Sequence, residues 1–224
     1  MPGFAALDPA EPIKLPLEAR DFGIYIGFFG VWAYLFAIGR GYAKGMPPWY
    51  ILFTLVIFVG IMGFDGINAF LYDLHDKTPV IPYLYEPLLE LRLGTGLLCG
   101  IAFAGIMAPV INFSLWRIND NRPFIENWQQ LAGGMIVLIF LFALNVAGWG
   151  ILLWPVSIIT SASVPVLIAL INMVFLLSLF RKEGSVATWR DALNPFAAGM
   201  VCAIVELGIL SLMRYAVLGT AVLP

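Results

Sequence analysis

Apolar residues run in six long stretches, over 22–39, 49–72, 93–116, 129–154, 156–180 and 195–218, with short polar segments between them. A helix needs about 20 apolar residues to cross a hydrocarbon core about 30 Å thick. Lipid offers no partner to a backbone amide, so a spanning segment must be a helix or belong to a closed barrel. Barrel strands would alternate apolar and polar positions, and these stretches do not. The pattern predicts an all-α integral membrane protein, a bundle of six transmembrane helices forming a single domain over 1–224.

Local chemistry marks the limits of each span. Arg40-Gly41 and Lys44-Gly45 end the first, and Pro47-Pro48 suits the first turn of the second. Pro155 divides the fourth span from the fifth and leaves almost no loop, so a single re-entrant hairpin there is the competing reading. Pro195 opens the sixth span. Trp49, Trp116, Trp128 and Trp154 stand at span ends, where indole rings favour the headgroup level. The polar loop 73–91 contains Pro79, Pro82 and Pro87. Within it Leu84, Leu88 and Leu91 recur at helical spacing and predict a short surface helix over 83–92.

Composition agrees with the pattern. Charged residues make up 12% of the chain, against roughly 25% in a soluble domain, too few to cover a water-facing surface. The net charge of −2 supplies no basic patch, which excludes nucleic acid as an expected partner. The partners expected are membrane lipids and other membrane protein subunits. Residues 1–20 hold four prolines and no basic-then-apolar signal pattern, so the first span is expected to serve as its own targeting signal. Connections after spans one, three and five carry Arg40, Lys44, Arg117, Arg122, Arg181, Lys182 and Arg190, seven against five on the other side. The positive-inside rule then puts both termini outside.

Helices in lipid associate through close backbone approach and interhelical hydrogen bonds, which favours small residues at contacts. Gly96, Gly100, Ala104 and Ala108 form a smooth face on span three, and Ala19, Gly23 and Gly27 repeat the spacing on span one. Span six has Ala198 and Cys202 on one face, with Gly199 and Ala203 beside it. These faces serve either packing within the bundle or the docking of another subunit.

Ionisable residues at membrane depth are costly and are candidate functional groups by default. Asp65 lies deep in span two, on one helical face with Asn68 and Tyr72; Glu206 lies near the middle of span six; Arg92 opens span three close to Thr95. Asp65, Asn68, Arg92, Thr95 and Glu206 therefore form the candidate polar intramembrane site. In one reading Asp65 pairs with Arg92 or caps backbone groups, and Glu206 is protonated or pairs with an Asn. In the other, Asp65 and Glu206 line a proton or cation route. No catalytic motif is present. With His75 as the sole histidine, expected as a solvated loop residue, no His-rich metal site or bis-His haem can be assembled, and no cofactor or metal is expected. Cys99 and Cys202 fall in apolar runs and read as packing residues.

Two stretches carry a family resemblance. Leu15-Pro16-Leu17-Glu18-Ala19-Arg20-Asp21-Phe22-Gly23-Ile24-Tyr25-Ile26-Gly27 is one, and Met62-Gly63-Phe64-Asp65-Gly66-Ile67-Asn68 followed by Leu91-Arg92-Leu93-Gly94-Thr95-Gly96 is the other. They resemble a prokaryotic family of membrane proteins called domain of unknown function 2085, over about the first 110 residues. Where the family pattern has Cys, this chain has Glu18 and Asp21, so thiol or metal chemistry is not implied here. The matching positions are Arg20, Gly23, Tyr25 and Gly27 at the first helix start, then Asp65, Gly66, Arg92, Thr95 and Gly96. The resemblance implies that Asp65 and Arg92 belong to one site, and it implies no activity.

The leading functional expectation is a non-enzymatic accessory or scaffold subunit of a larger membrane complex, with an electron-transfer or photosynthetic host as one possibility. The alternative is a small transporter or ion-conducting protein using Asp65, Arg92 and Glu206. A weaker third is a lipid-directed enzyme with Glu18, Arg20 and Asp21 at the headgroups.

Overall fold

The computed structural model describes residues 18–78, 80, 82–118, 120–147 and 153–218. Six helices follow one another: α1 (Ala19–Leu35), α2 (Trp49–Lys77), α3 (Leu89–Leu115), α4 (Trp128–Val146), α5 (Leu153–Leu179) and α6 (Trp189–Leu218). Helices α2 to α6, and α1 together with the turn that continues it to Arg40, are each long and apolar enough to cross a membrane, and no strand occurs among the described residues. The six-helix expectation therefore holds.

The chain forms two compact units, Met1–Pro109 with Asp120–Ser161, and Val110–Asn119 with Ala162–Pro224. The single domain expected over 1–224 thus has internal divisions. Helix α3 passes between units at Pro109, and α5 just ahead of Pro165. A proline inside a helix removes one hydrogen bond and crowds the preceding turn.

Helix α3 is the axis of packing. Two thirds of its spanning window is buried, 67%, against 17% for α2 and for α4. In the first unit Phe28, Val31 and Leu35 of α1, Ile51 and Leu55 of α2, Ile101 and Ala104 of α3, and Leu131 and Leu138 of α4 are buried. Helix α1 ends in a wide turn, Phe36–Arg40, where Gly39 takes a φ of 80° that disfavours a side chain. The loops after α1 and α3 then pair: Lys44 N–H donates to Asp120 O at 2.9 Å, Gly45 N–H to Arg122 O at 3.1 Å, and Phe124 N–H to Gly45 O at 2.9 Å. Ion pairs Arg40–Glu126 and Arg122–Asp120 decorate this end. Hydrogen bonds from the Arg122 side chain, chiefly, hold the Asp120 carboxyl below its usual range.

Several limits differ from the sequence reading. Helix α2 continues to Lys77, so His75 belongs to its last turn, half-buried and edge-on to Tyr83 with ring centres 4.8 Å apart. The surface helix expected over 83–92 is not formed; residues 82–88 are irregular and α3 starts at Leu89. Pro82 and Pro87 work against a helix there, and Asn68 captures the backbone instead. Its side-chain N–H donates to Tyr85 O at 2.9 Å, and its oxygen accepts from Leu84 N–H at 2.9 Å and Tyr85 N–H at 3.4 Å. Tyr72, one turn further along that face, meets Tyr83 edge-on. Helix α4 ends at Val146, and Pro155 sits in the first turn of α5, where a missing N–H costs nothing. The divide between spans four and five thus lies before Pro155, with residues 148–152 outside the described ones. Pro195 likewise lies inside α6, which begins at Trp189 behind a Thr188–Asp191 capping box.

Asn68→Ala is expected to cost about 1–3 kcal/mol by stranding these backbone groups. Amide exchange at Leu84 and Tyr85 should quicken in the variant. Unchanged exchange there would show that Asn68 does not hold the loop.

Candidate functional site

The site grows from the contact of α1 with α3. Small residues let the two backbones touch: a Cβ added at Gly23 would lie 2.6 Å from Leu93 O, and one at Gly100 2.7 Å from Ile24 O. One at Gly27 would lie 3.0 Å from Leu97 O, and one at Gly96 would collide with Arg20 O. Ala104 and Ala108 continue the face and are fully buried. The small-residue faces predicted on spans one and three are thus spent on each other, at least through Gly23, Gly27, Gly96 and Gly100.

This contact seats Arg20, in the first turn of α1, opposite α2. Its guanidinium donates to Asp65 Oδ2 at 2.7 Å. Tyr85 Oη donates to Asp65 Oδ1 at 2.8 Å, and Thr95 Oγ1 lies 3.2 Å from Asp65 Oδ2 and 3.2 Å from Arg92 O. Asp65 is 1% exposed, so it depends wholly on these partners. Gly66 leaves ordinary contact room beside Arg20, 3.5 Å from a hypothetical Cβ to Nη1. Arg92 turns elsewhere and donates to Glu18 Oε1 at 2.9 Å.

One correction follows. The cation paired with Asp65 is Arg20, not Arg92; the two arginines share the neighbourhood but hold different acids. Asp65 stands level with the first turn of α1 and the second of α3, while α2 continues for about 18 Å beyond it, at 1.5 Å per residue. Tyr25 is half-buried on α1. Glu206 belongs to the second unit, where Asn172 Nδ2 donates to its Oε2 at 3.1 Å, the Asn pairing considered from the sequence. Tyr85 was missed, because a tyrosine in an irregular loop carries no signal until the loop is folded back.

Tyr85 lies outside the spans. Burial first, then its hydrogen bond to Asp65 and that carboxylate's charge, raise the phenol above its usual 10.0. A raised folded-state value means that the contribution is complete below the ordinary phenol range and is lost as pH rises through the folded value. Thermal unfolding across the alkaline range should therefore show a loss of stability that Tyr85→Phe flattens. An identical alkaline limb in the variant would assign the titration to another group.

Chemically, most of the hydrogen-bonding capacity of Asp65 is already used within the chain. A carboxylate has about four lone-pair sites, and Asp65 already takes a guanidinium, a phenol and a threonine hydroxyl. No group of three or more His, Cys, Asp or Glu that could hold a metal occurs among the described residues. The geometry serves to clamp α1, α2, α3 and the 82–88 loop together.

Six apolar helices and an intramembrane polar clamp define an integral membrane protein of the helical-bundle class. Residues 11–106 match the family model described as Predicted membrane protein (DUF2085), which bears out the resemblance carried by Arg20, Asp65, Arg92 and the glycines. Every residue of the clamp falls inside the matched stretch, whereas α4, α5 and α6 lie beyond it. No curated protein and no solved structure matches the chain.

Proposed function

We propose that the chain is a non-enzymatic scaffold subunit of a larger membrane complex, set in a prokaryotic plasma membrane with both termini outside. The observation that carries this reading is the engagement of both Asp65 oxygens by Arg20, Tyr85 and Thr95 of the same chain. A site for moving ions needs ligand positions that open and refill, and this carboxylate spends its oxygens on its own chain. Arg92 and Glu206 are likewise engaged, with Glu18 and Asn172. Further support comes from the length of α2. Its last turns and the 82–88 loop, anchored to it by Asn68, offer a rigid feature beyond the first turn of α1, with Phe70 65% exposed.

The test is gentle native purification of the tagged protein from its own membranes, with mass spectrometry of the eluate. A stoichiometric membrane partner is expected. Elution alone, together with ion flux in liposomes that Asp65→Asn abolishes, would replace the scaffold reading with transport.

A further inference from the structure

The second unit contains a cavity of about 620 Å³ between the end of α5 and the start of α6. Its shape has a local cause. Gly199 brings α6 hard against Ala169 and Met173 of α5, and past that crossing Ala198 and Cys202 are too small to fill the space facing Leu177 and Phe180. The α5–α6 loop forms a fixed wall, because Gly184 N–H donates to Ser114 O at 2.9 Å and Val186 N–H to Leu115 O at 3.1 Å. Trp116 and Trp189 meet edge-on with centroids 4.6 Å apart. Of the two, Trp189 is exposed, and an exposed indole favours the headgroup level, so the groove runs from that level toward the hydrocarbon.

The polar end holds charges of both signs. Lys182 is exposed and forms no salt bridge among the described residues. Asp191 uses Oδ2 for Thr188, accepting from its N–H at 3.0 Å and its hydroxyl at 2.9 Å, which leaves Oδ1. A cation and an anion at the mouth of an apolar groove complement a headgroup that carries a phosphate and a hydrogen-bonding ammonium.

We propose that this groove binds one phosphatidylethanolamine molecule, with its phosphate on Lys182, its primary ammonium on Asp191 and an acyl chain over Ala198 and Cys202. Phosphatidylcholine offers Asp191 no N–H, and phosphatidylglycerol offers it no cation. The site is independent of the scaffold reading.

Delipidated full-length protein in mild detergent, offered equal amounts of the three lipids, is to be examined by native mass spectrometry. One phosphatidylethanolamine should be retained at about tenfold preference, the size expected of one charge-assisted hydrogen bond. Asp191→Asn, which can still cap Thr188, should bring phosphatidylethanolamine down to the level of phosphatidylcholine. Lys182→Gln should weaken all three lipids, with Lys182→Arg restoring them. Ala198→Phe should abolish retention while leaving the charges in place, and an unchanged thermal midpoint in each variant shows that the fold is intact. Equal retention of the three lipids, a preference for phosphatidylglycerol, or a preference unmoved by Asp191→Asn overturns the proposal. Competition by free glycerophosphoethanolamine as strong as that by intact lipid also overturns it, since the groove would then contribute nothing.

Discussion

Gly96→Ala and Gly100→Ala are each expected to destabilise the protein by about 1–3 kcal/mol, the usual range for overpacking, and Leu at either position is expected to prevent α1 from docking. The reason is what the new Cβ would meet. At Gly100 it would lie 2.7 Å from Ile24 O and 2.8 Å from Phe28 N, and at Gly96 it would collide with Arg20 O. These are backbone atoms of a regular helix and cannot rotate aside, so the helices must separate. Separation at Gly96 also draws Arg20 from Asp65, adding an electrostatic loss to the steric one. Gly60 and Gly63 of α2 are the internal control, because a Cβ there meets nothing within 4 Å. Their change to Ala should be neutral or stabilise by up to about 1 kcal/mol, since Ala loses less chain freedom in a helix. Thermal unfolding in detergent, with size-exclusion chromatography for monodispersity, reads all four alanine variants. If Gly96→Ala melts like Gly63→Ala, the close α1–α3 contact is wrong.

Arg20→Ala should rank with the most damaging single substitutions. Removing one partner of a buried ion pair strands the other, typically at a cost of about 3–5 kcal/mol. Asp65 is 1% exposed and would keep only Tyr85 and Thr95. The Arg20 side chain is 17% exposed, so water reaches part of it and the lower half of that range is expected. Replacing both groups together, as Arg20→Met with Asp65→Leu, should recover much of the loss, because no charge is then left unpaired. A double-mutant cycle on unfolding free energy measures the coupling. Strict additivity would mean that the two groups do not act as a pair. Arg92→Ala is the comparison: its partner Glu18 has a side chain 55% exposed, which water can solvate, and the cost should be under about 1 kcal/mol.

The polar clamp was partly legible before folding. Asp65, Asn68 and Thr95 are anomalies in apolar helices, and any reader of the chain would single them out. Their partners were not legible. Both Arg20 and Arg92 stand at helix starts, and either is long enough to reach an acid on α2. The choice depends on the rotation of α1 about its axis, which the Gly23–Gly27 and Gly96–Gly100 contact sets. The 82–88 loop misled for a related reason. Its leucines recur at helical spacing, but hydrogen bonds from a single buried Asn outweigh a weak local preference in a stretch flanked by prolines.

By itself, then, the sequence determined that this is a six-helix membrane protein and where small residues allow helices to touch. Solvation by lipid depends on apolar content summed along each segment, and close approach depends on residue size, both of which are written in one dimension. Tertiary structure alone decided that Asp65 belongs to Arg20, that Tyr85 completes the clamp and that a groove opens beyond Gly199. Those outcomes depend on helix rotation, crossing point and loop path, which arise only when distant segments exclude one another from the same space.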